Sequence, residues 1–171
     1  RAEYCNERQE TFGVLFENGR KYPIMFQYCG NVQMYSCRFR NFISRTIQEK
    51  NVECFSVSKS SFDKCEYQYS RDTYDWKALG GVVFSDSPES NGINYFDSCT
   101  FVNCGGRNTK RYYSSDFISN CRSQLTACTF KLCWNYYNEN EIDPDTCYRR
   151  MFTYDSKAMD CISVNSAKIV D

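Results

Sequence analysis

Apolar side chains along this chain recur at steps of three, four and seven. Phe117, Cys121, Leu125, Cys128 and Leu132 step by 4, 4, 3 and 4 behind Ser114-Ser115-Asp116, which makes a credible N-cap. Asp143-Pro144-Asp145 gives a second N-cap with proline in the first turn. Cys147, Met151, Tyr154, Ala158 and Cys161 or Ile162 follow it at helical intervals. Phe39, Phe42 or Ile43, and Ile47 make a shorter stripe, and Cys54, Val57, Phe62 and Cys65 a weaker one. Four segments with one apolar face predict a mostly α fold. Two stretches read differently. Asn94 through Cys104 alternates like a rung of a parallel β-helix, and Leu125 through Cys133 does so more loosely. With 14 Tyr and 13 Phe, the alternative is a small disulfide-rich β-helix.

The cysteines suggest a duplication. With Cys104 and Cys133 set aside, the intervals among Cys5, Cys29, Cys37, Cys54 and Cys65 match those among Cys99, Cys121, Cys128, Cys147 and Cys161 within three residues at each step. This predicts two tandem units, 1–78 and 95–171, joined by a linker over 79–94 that carries Gly80-Gly81, Pro88 and Asn91-Gly92. An even count of 12 cysteines reads as a disulfide framework made in an oxidising compartment. Seven helical residues span about 10 Å, beyond the roughly 7 Å limit for a bridge, so each cysteine must reach another helix. In antiparallel hairpins Cys37–Cys54 inside Cys29–Cys65 nearly fits, with spacings three residues apart, whereas Cys128–Cys147 inside Cys121–Cys161 is stretched by seven residues and needs a bent or broken helix; Cys104–Cys133 would be an extra bridge. Each unit holds an odd number of cysteines. Full oxidation therefore requires a bridge between units, Cys5–Cys99 or Cys65–Cys161.

Composition narrows the chemistry. The chain has 171 residues, no histidine, and 21 basic against 21 acidic residues. Without histidine, Ser-His-Asp and Cys-His catalysis and all His-ligated metal sites are excluded. Zero net charge gives no reason to expect a nucleic-acid or anionic-membrane partner. No stretch is long and apolar enough for a membrane span, and there is no Asn-x-Ser/Thr sequon. The start at Arg1-Ala2-Glu3 reads as a mature secreted chain.

The remaining constellations are weighed against plainer readings. Cys99-x4-Cys104 with Cys128-x4-Cys133 has the donors for a four-thiolate zinc site, but oxidised bridges are the simpler use, and no cofactor or metal is expected. Glu139, Glu141, Asp143 and Asp145 would be needed for a carboxylate-only glycoside hydrolase, yet they suit a helix N-terminus equally well. Arg107 through Tyr113 interleaves basic and aromatic residues and reads as a loop. Tyr67, Tyr69, Tyr74 and Trp76 in the first unit and Trp134, Tyr136 and Tyr137 in the second are candidate interface aromatics.

Two units built from spaced Cys–aromatic–Cys elements resemble the aphid bicycle proteins. The residues that carry the likeness are Cys147-Tyr148 through Tyr154 to Cys161 and Cys54-Phe55 through Phe62 to Cys65, with a looser match from Cys5 through Tyr22 and Tyr28 to Cys29. The first unit has Phe where the Cys-Tyr-Cys motif that gives the family its name has Tyr. The resemblance implies a secreted salivary effector, delivered into plant tissue and linked to gall formation or host manipulation, with no known enzymatic activity. The expectation is a non-enzymatic effector that binds a host macromolecule, an unknown protein or glycan. An extracellular carbohydrate-binding module is the alternative.

Overall fold

The chain repeats one short pattern. Two inward-facing residues alternate with outward ones, then a residue in the left-handed region turns a corner and the alternation restarts. Met34-Tyr-Ser-Cys-Arg-Phe-Arg-Asn-Phe42, Phe96-Asp-Ser-Cys-Thr-Phe-Val-Asn-Cys104 and Leu125-Thr-Ala-Cys-Thr-Phe-Lys-Leu-Cys133 are three copies. A computed structural model describes residues 2–3, 9–19, 24–43, 46–68, 82–85, 93–108, 118–119, 122–137 and 156–166.

Each copy is part of one rung. The first rung holds β1 (Ala2–Glu3), β2 (Gln9–Phe12) and β3 (Leu15–Glu17). The second holds β4 (Ile24–Gln27), β5 (Asn31–Tyr35) and β6 (Arg38–Phe42), and the third β7 (Ile47–Lys50), β8 (Cys54–Ser58) and β9 (Ser61–Gln68). The fourth runs through β10 (Val83–Ser85), β11 (Ile93–Asp97), β12 (Thr100–Val102) and β13 (Gly105–Asn108). The fifth runs through β14 (Ile118–Ser119), β15 (Arg122–Thr126), β16 (Thr129–Lys131) and β17 (Trp134–Tyr137), and the sixth through β18 (Lys157–Met159) and β19 (Ile162–Val164).

Every pairing is parallel and joins equivalent strands of successive rungs, so three sheets run along one axis. The first sheet is β1-β4-β7-β10-β14 and the second is β2-β5-β8-β11-β15-β18. The third runs from β3 through β6, β9, β12 and β16 to β19, with β13 and β17 extending it past a second corner. This is a parallel β-helix.

The corners explain the sequence pattern. Gly13, Ser36, Lys59, Ser98, Ala127 and Asp160 occupy one column and all have positive φ, between 45° and 62°. Asn18, Asn41, Lys64, Asn103, Leu132 and Asn165 form a second such column, from 46° to 61°. Asparagine recurs there because its short polar side chain tolerates the left-handed region. The ladder bonds continue through these bends: Ser36 N–H donates to Ser58 O at 3.0 Å, Lys59 to Asp97 O at 2.9 Å and Ser98 to Thr126 O at 2.9 Å.

Inside, ladders of identical side chains stack. Phe16, Phe39, Phe62, Phe101 and Phe130 occupy one column, with centroids 5.2, 4.5, 4.7 and 4.8 Å apart and planes within 10° of parallel. Those distances follow the strand spacing, which the backbone sets. Phe26, Phe55 and Phe96 pack in tilted pairs 6.2 and 6.3 Å apart behind the second sheet. Gly19 opens the column below Phe42, because a Cβ there would collide with that ring.

The mostly α expectation is overturned: the described residues contain strands and no helix. The misleading spacing has a physical source. Strand alternation gives inward steps of two, and each left-handed corner inserts one extra residue, giving a step of three. Val57, Ser60, Phe62 and Cys65 point inward at steps of 3, 2 and 3, and such steps sum to the 5, 7 and 8 that mimic a helical face. Leu132, taken as part of a helical stripe, is an exposed corner residue.

The two-unit division is also not seen as separate helical bodies. Strand β8, in the expected first unit, pairs in register with β11, which runs from the end of the expected linker into the expected second unit, with Cys54 opposite Ile93 and Ser56 opposite Tyr95. The linker itself supplies β10, whose Val83 is fully buried and pairs with Ile47 and Ile118.

Candidate functional site

Seven of the nine described cysteines fall into two columns, one behind each corner of the third sheet; Cys29 and Cys54 lie in neither. The first column is Val14, Cys37, Ser60, Cys99, Cys128 and Cys161; the second is Gly19, Phe42, Cys65, Cys104, Cys133 and Ser166. The repeated x4 spacing is therefore the distance between two corners. Cys65 and Cys161, equated by the duplication, lie in different columns.

The disulfide framework is overturned at the described positions. Cys29, Cys37, Cys54, Cys65, Cys99, Cys104, Cys128, Cys133 and Cys161 are all thiols. Cys5, Cys121 and Cys147 lie outside the described residues. The thiols instead serve the corners. Cys104 Sγ donates toward Phe62 O at 3.4 Å and Val102 O at 3.3 Å, and Cys133 Sγ toward Phe101 O at 3.3 Å and Lys131 O at 3.6 Å. Cys99 and Cys128 repeat the arrangement. Serine substitutes in the same role. Ser60 Oγ donates to Ser58 O at 2.8 Å and accepts from Cys37 N at 3.0 Å, and Ser166 Oγ accepts from Cys133 N at 2.9 Å. Without a staple to explain, the argument for an oxidising compartment from cysteine count no longer follows.

Neighbouring thiols also couple. The bond shared with Cys128, and then burial, push Cys99 up, while the same bond draws Cys128 down. Burial, with Cys133 and Cys65 on either side, pushes Cys104 up. A thiolate is therefore disfavoured next to one already formed. Among the described residues no group of three or more His, Cys, Asp or Glu side chains could hold a metal ion. Cys99, Cys104, Cys128 and Cys133, the weighed zinc ligands, make no such group.

The interior also holds a polar contact between the first and second sheets. Glu49 and Asn94 are both nearly solvent-free, and Asn94 Nδ2 donates to Glu49 Oε1 at 2.6 Å. Ser123 is buried beside Asn94 in the same column of the second sheet, its backbone N–H donating to Ser156 Oγ at 3.1 Å. Among the described residues, the buried Ser123 Oγ has no hydrogen-bond partner.

Of the expected interface aromatics, Tyr67, Trp134, Tyr136 and Tyr137 fall in described strands. The backbone of Tyr67 pairs with Gly106, which pairs with Asn135, while Trp134 aligns with Gly105 and Glu66, and Tyr136 with Arg107 and Gln68. Tyr137 pairs with Asn108. Tyr69, Tyr74, Trp76, the acidic run at Glu139–Asp145 and the stretch from Thr109 to Tyr113 lie outside the described residues.

Sequence reasoning passed over the outer face of the second sheet. There, Gln33, Ser56, Tyr95 and Gln124 form one column and Tyr35, Ser58, Asp97 and Thr126 the next. Tyr35 and Tyr95 are exposed, and Lys59 Nζ lies 5.2 Å from the Tyr35 ring centroid. Hydrogen bonding with Tyr35 holds the Lys59 ammonium above its usual range. The legible signal was the residue on either side of each inward position in the repeated nine-residue pattern.

The chain matches no protein-family model, no curated protein and no solved structure. Of the cysteines that carry the likeness to bicycle proteins, Cys29, Cys54, Cys65 and Cys161 are described, and Cys5 and Cys147 lie outside the described residues.

Proposed function

We propose that this chain is a non-enzymatic recognition protein that binds a macromolecular partner along the outer face of the second sheet. The observation that carries the reading is the array on that face. Exposed Tyr35 and Tyr95, the Lys59 cation against Tyr35, and the amides and hydroxyls of Gln33, Ser56, Gln124 and Thr126 repeat at the strand spacing. Tyrosine with an adjacent cation gives large contact area with a polar handle, as binding hot spots do. A ladder-locked sheet holds those groups in place before binding and lowers the entropy cost of association. The mixed aromatic and amide lining also supports a glycan as the partner, because amides and hydroxyls match sugar hydroxyls while a tyrosine ring covers a sugar face.

The test compares wild type with a Tyr35→Ala/Tyr95→Ala double variant and with an Arg40→Ala control on the third sheet. The three are immobilised, offered a host extract and a glycan array, and read by mass spectrometry and by affinity for whatever is retained. Loss of about tenfold or more in affinity for the double variant alone supports the reading. Equal retention by all three, or none by wild type, removes it.

A further inference from the structure

The first and last described rungs carry matching column positions. Among the described strands, β2 and β3 of the first rung pair on one side only, with β5 and β6, and β18 and β19 of the last rung pair only with β15 and β16. Open parallel edges are templates for further strands. The column positions at the two ends are complementary. In the second sheet, the register from Glu10 through Gln33, Ser56, Tyr95 and Gln124 ends on Lys157, so one column starts with an acid and finishes with a base. The next outward column starts with Phe12 and ends with Met159, exposed at 61% and 62%. In the third sheet, Leu15 and Ile162 share a column and are exposed at 49% and 58%. Behind the corner, Val14 faces the column of Cys161, and the asparagine column runs from Asn18 to Asn165, already bonded internally through Asn41 Nδ2 to Asn18 Oδ1 at 3.4 Å. The spacing from Glu10 to Leu15 equals that from Lys157 to Ile162, so both sheets come into register together.

We infer that the first rung of one copy stacks on the last rung of another, head to tail, continuing the second and third sheets across the junction. Phe12 then meets Met159, Leu15 meets Ile162, and Glu10 meets Lys157. The contact is heterologous, so it leaves one end of each type open and grows into linear chains rather than closed dimers. This goes beyond the proposed recognition face, which lies along the side of the rod.

Sedimentation of the full chain over a wide concentration range tests it, using Leu15→Lys and Ile162→Lys, both at exposed outward positions. Wild type is expected to gain mass steadily with concentration. Each single variant should remain monomeric, because every junction needs one end of each type. An equimolar mixture of the two should stop at about twice the monomer mass, since each variant keeps one good end. A wild type that is monomeric throughout overturns the inference. So does self-association of either variant alone, which would mean like ends meet, and so does a mixture that stays monomeric.

Discussion

Five phenylalanine rings stack through the interior of the third sheet, while the interior between the first and second sheets holds a carboxylate and an amide, with the buried hydroxyl of Ser123 beside the amide. Both regions are fully enclosed, and both are built by repeating one position per rung. The Phe ladder needs only shape: each ring covers its neighbour, and the energy is spread over apolar area and ring contact. The Glu49–Asn94 contact sets an amide donor against a buried carboxylate, and a buried carboxylate without its hydrogen bonds costs several kcal/mol. Replacing one ring leaves the remaining ring contacts of the ladder in place.

The largest expected effect tests the ladder. Phe101→Ala removes a ring stacked on both sides by Phe62 and Phe130 and should destabilise by about 3–5 kcal/mol in chemical denaturation. A loss under about 1 kcal/mol would mean the neighbouring rings collapse into the gap. The polar contact is sharpened by Asn94→Asp, which replaces a donor with a second acid facing Glu49. We expect a loss of about 2–4 kcal/mol at neutral pH. The sign of its pH dependence follows from like charge. The new acid pair binds a proton more tightly folded than unfolded, so stability is present at low pH and lost as pH rises through the folded pair's titration. A variant equally unstable at pH 5 and pH 7 would contradict the charge argument.

The thiol columns lie between these extremes, being apolar in volume and polar in one bond. Cys128→Ser keeps a donor where Ser60 already serves in the same column, and should cost within about 1 kcal/mol, whereas Cys128→Ala should cost about 1–2 kcal/mol. A disulfide would instead make both changes cost about 2–5 kcal/mol. Site-resolved alkylation of the native protein checks the same point. Half-buried Cys54 and Cys161 should react before Cys99, Cys104, Cys128 and Cys133, which should wait for unfolding. The smallest effect is at a corner. Leu132→Asn puts the favoured residue at φ 54° beside a column of asparagines and should stabilise by about 1 kcal/mol. No change in the denaturation midpoint would show that the corner tolerates leucine without strain.

The alternating stretches Asn94–Cys104 and Leu125–Cys133 were legible as strands, and they are consecutive rungs joined by β11 with β15 and β12 with β16. The longer-range reading failed because unequal connections hide the period. Phe16, Phe39 and Phe62 lie 23 residues apart, but Phe62 and Phe101 lie 39 apart and Phe101 and Phe130 lie 29 apart. A search for a fixed period therefore fixed on cysteine intervals instead. Of the outer face, Tyr95 lay in plain sight beside Phe96, but nothing local places it in a column with Ser56 and Gln124.

By itself the amino-acid sequence determined which chemistry is absent, through the lack of histidine, and which residues alternate within a rung. It also determined where corners fall, since Ser-Cys-Thr-Phe-Val-Asn-Cys writes both bends into one short motif. Tertiary structure decided what those residues are for. Parallel stacking brings residues dozens of positions apart within strand distance, so Cys99 meets Cys128 and Glu49 meets Asn94. Whether a cysteine becomes a bridge or a corner donor depends on that stacking, because the interior leaves its thiol facing backbone carbonyls of two rungs. The same stacking sets Glu10 and Lys157 in one column across the described rungs, a property that no single segment contains.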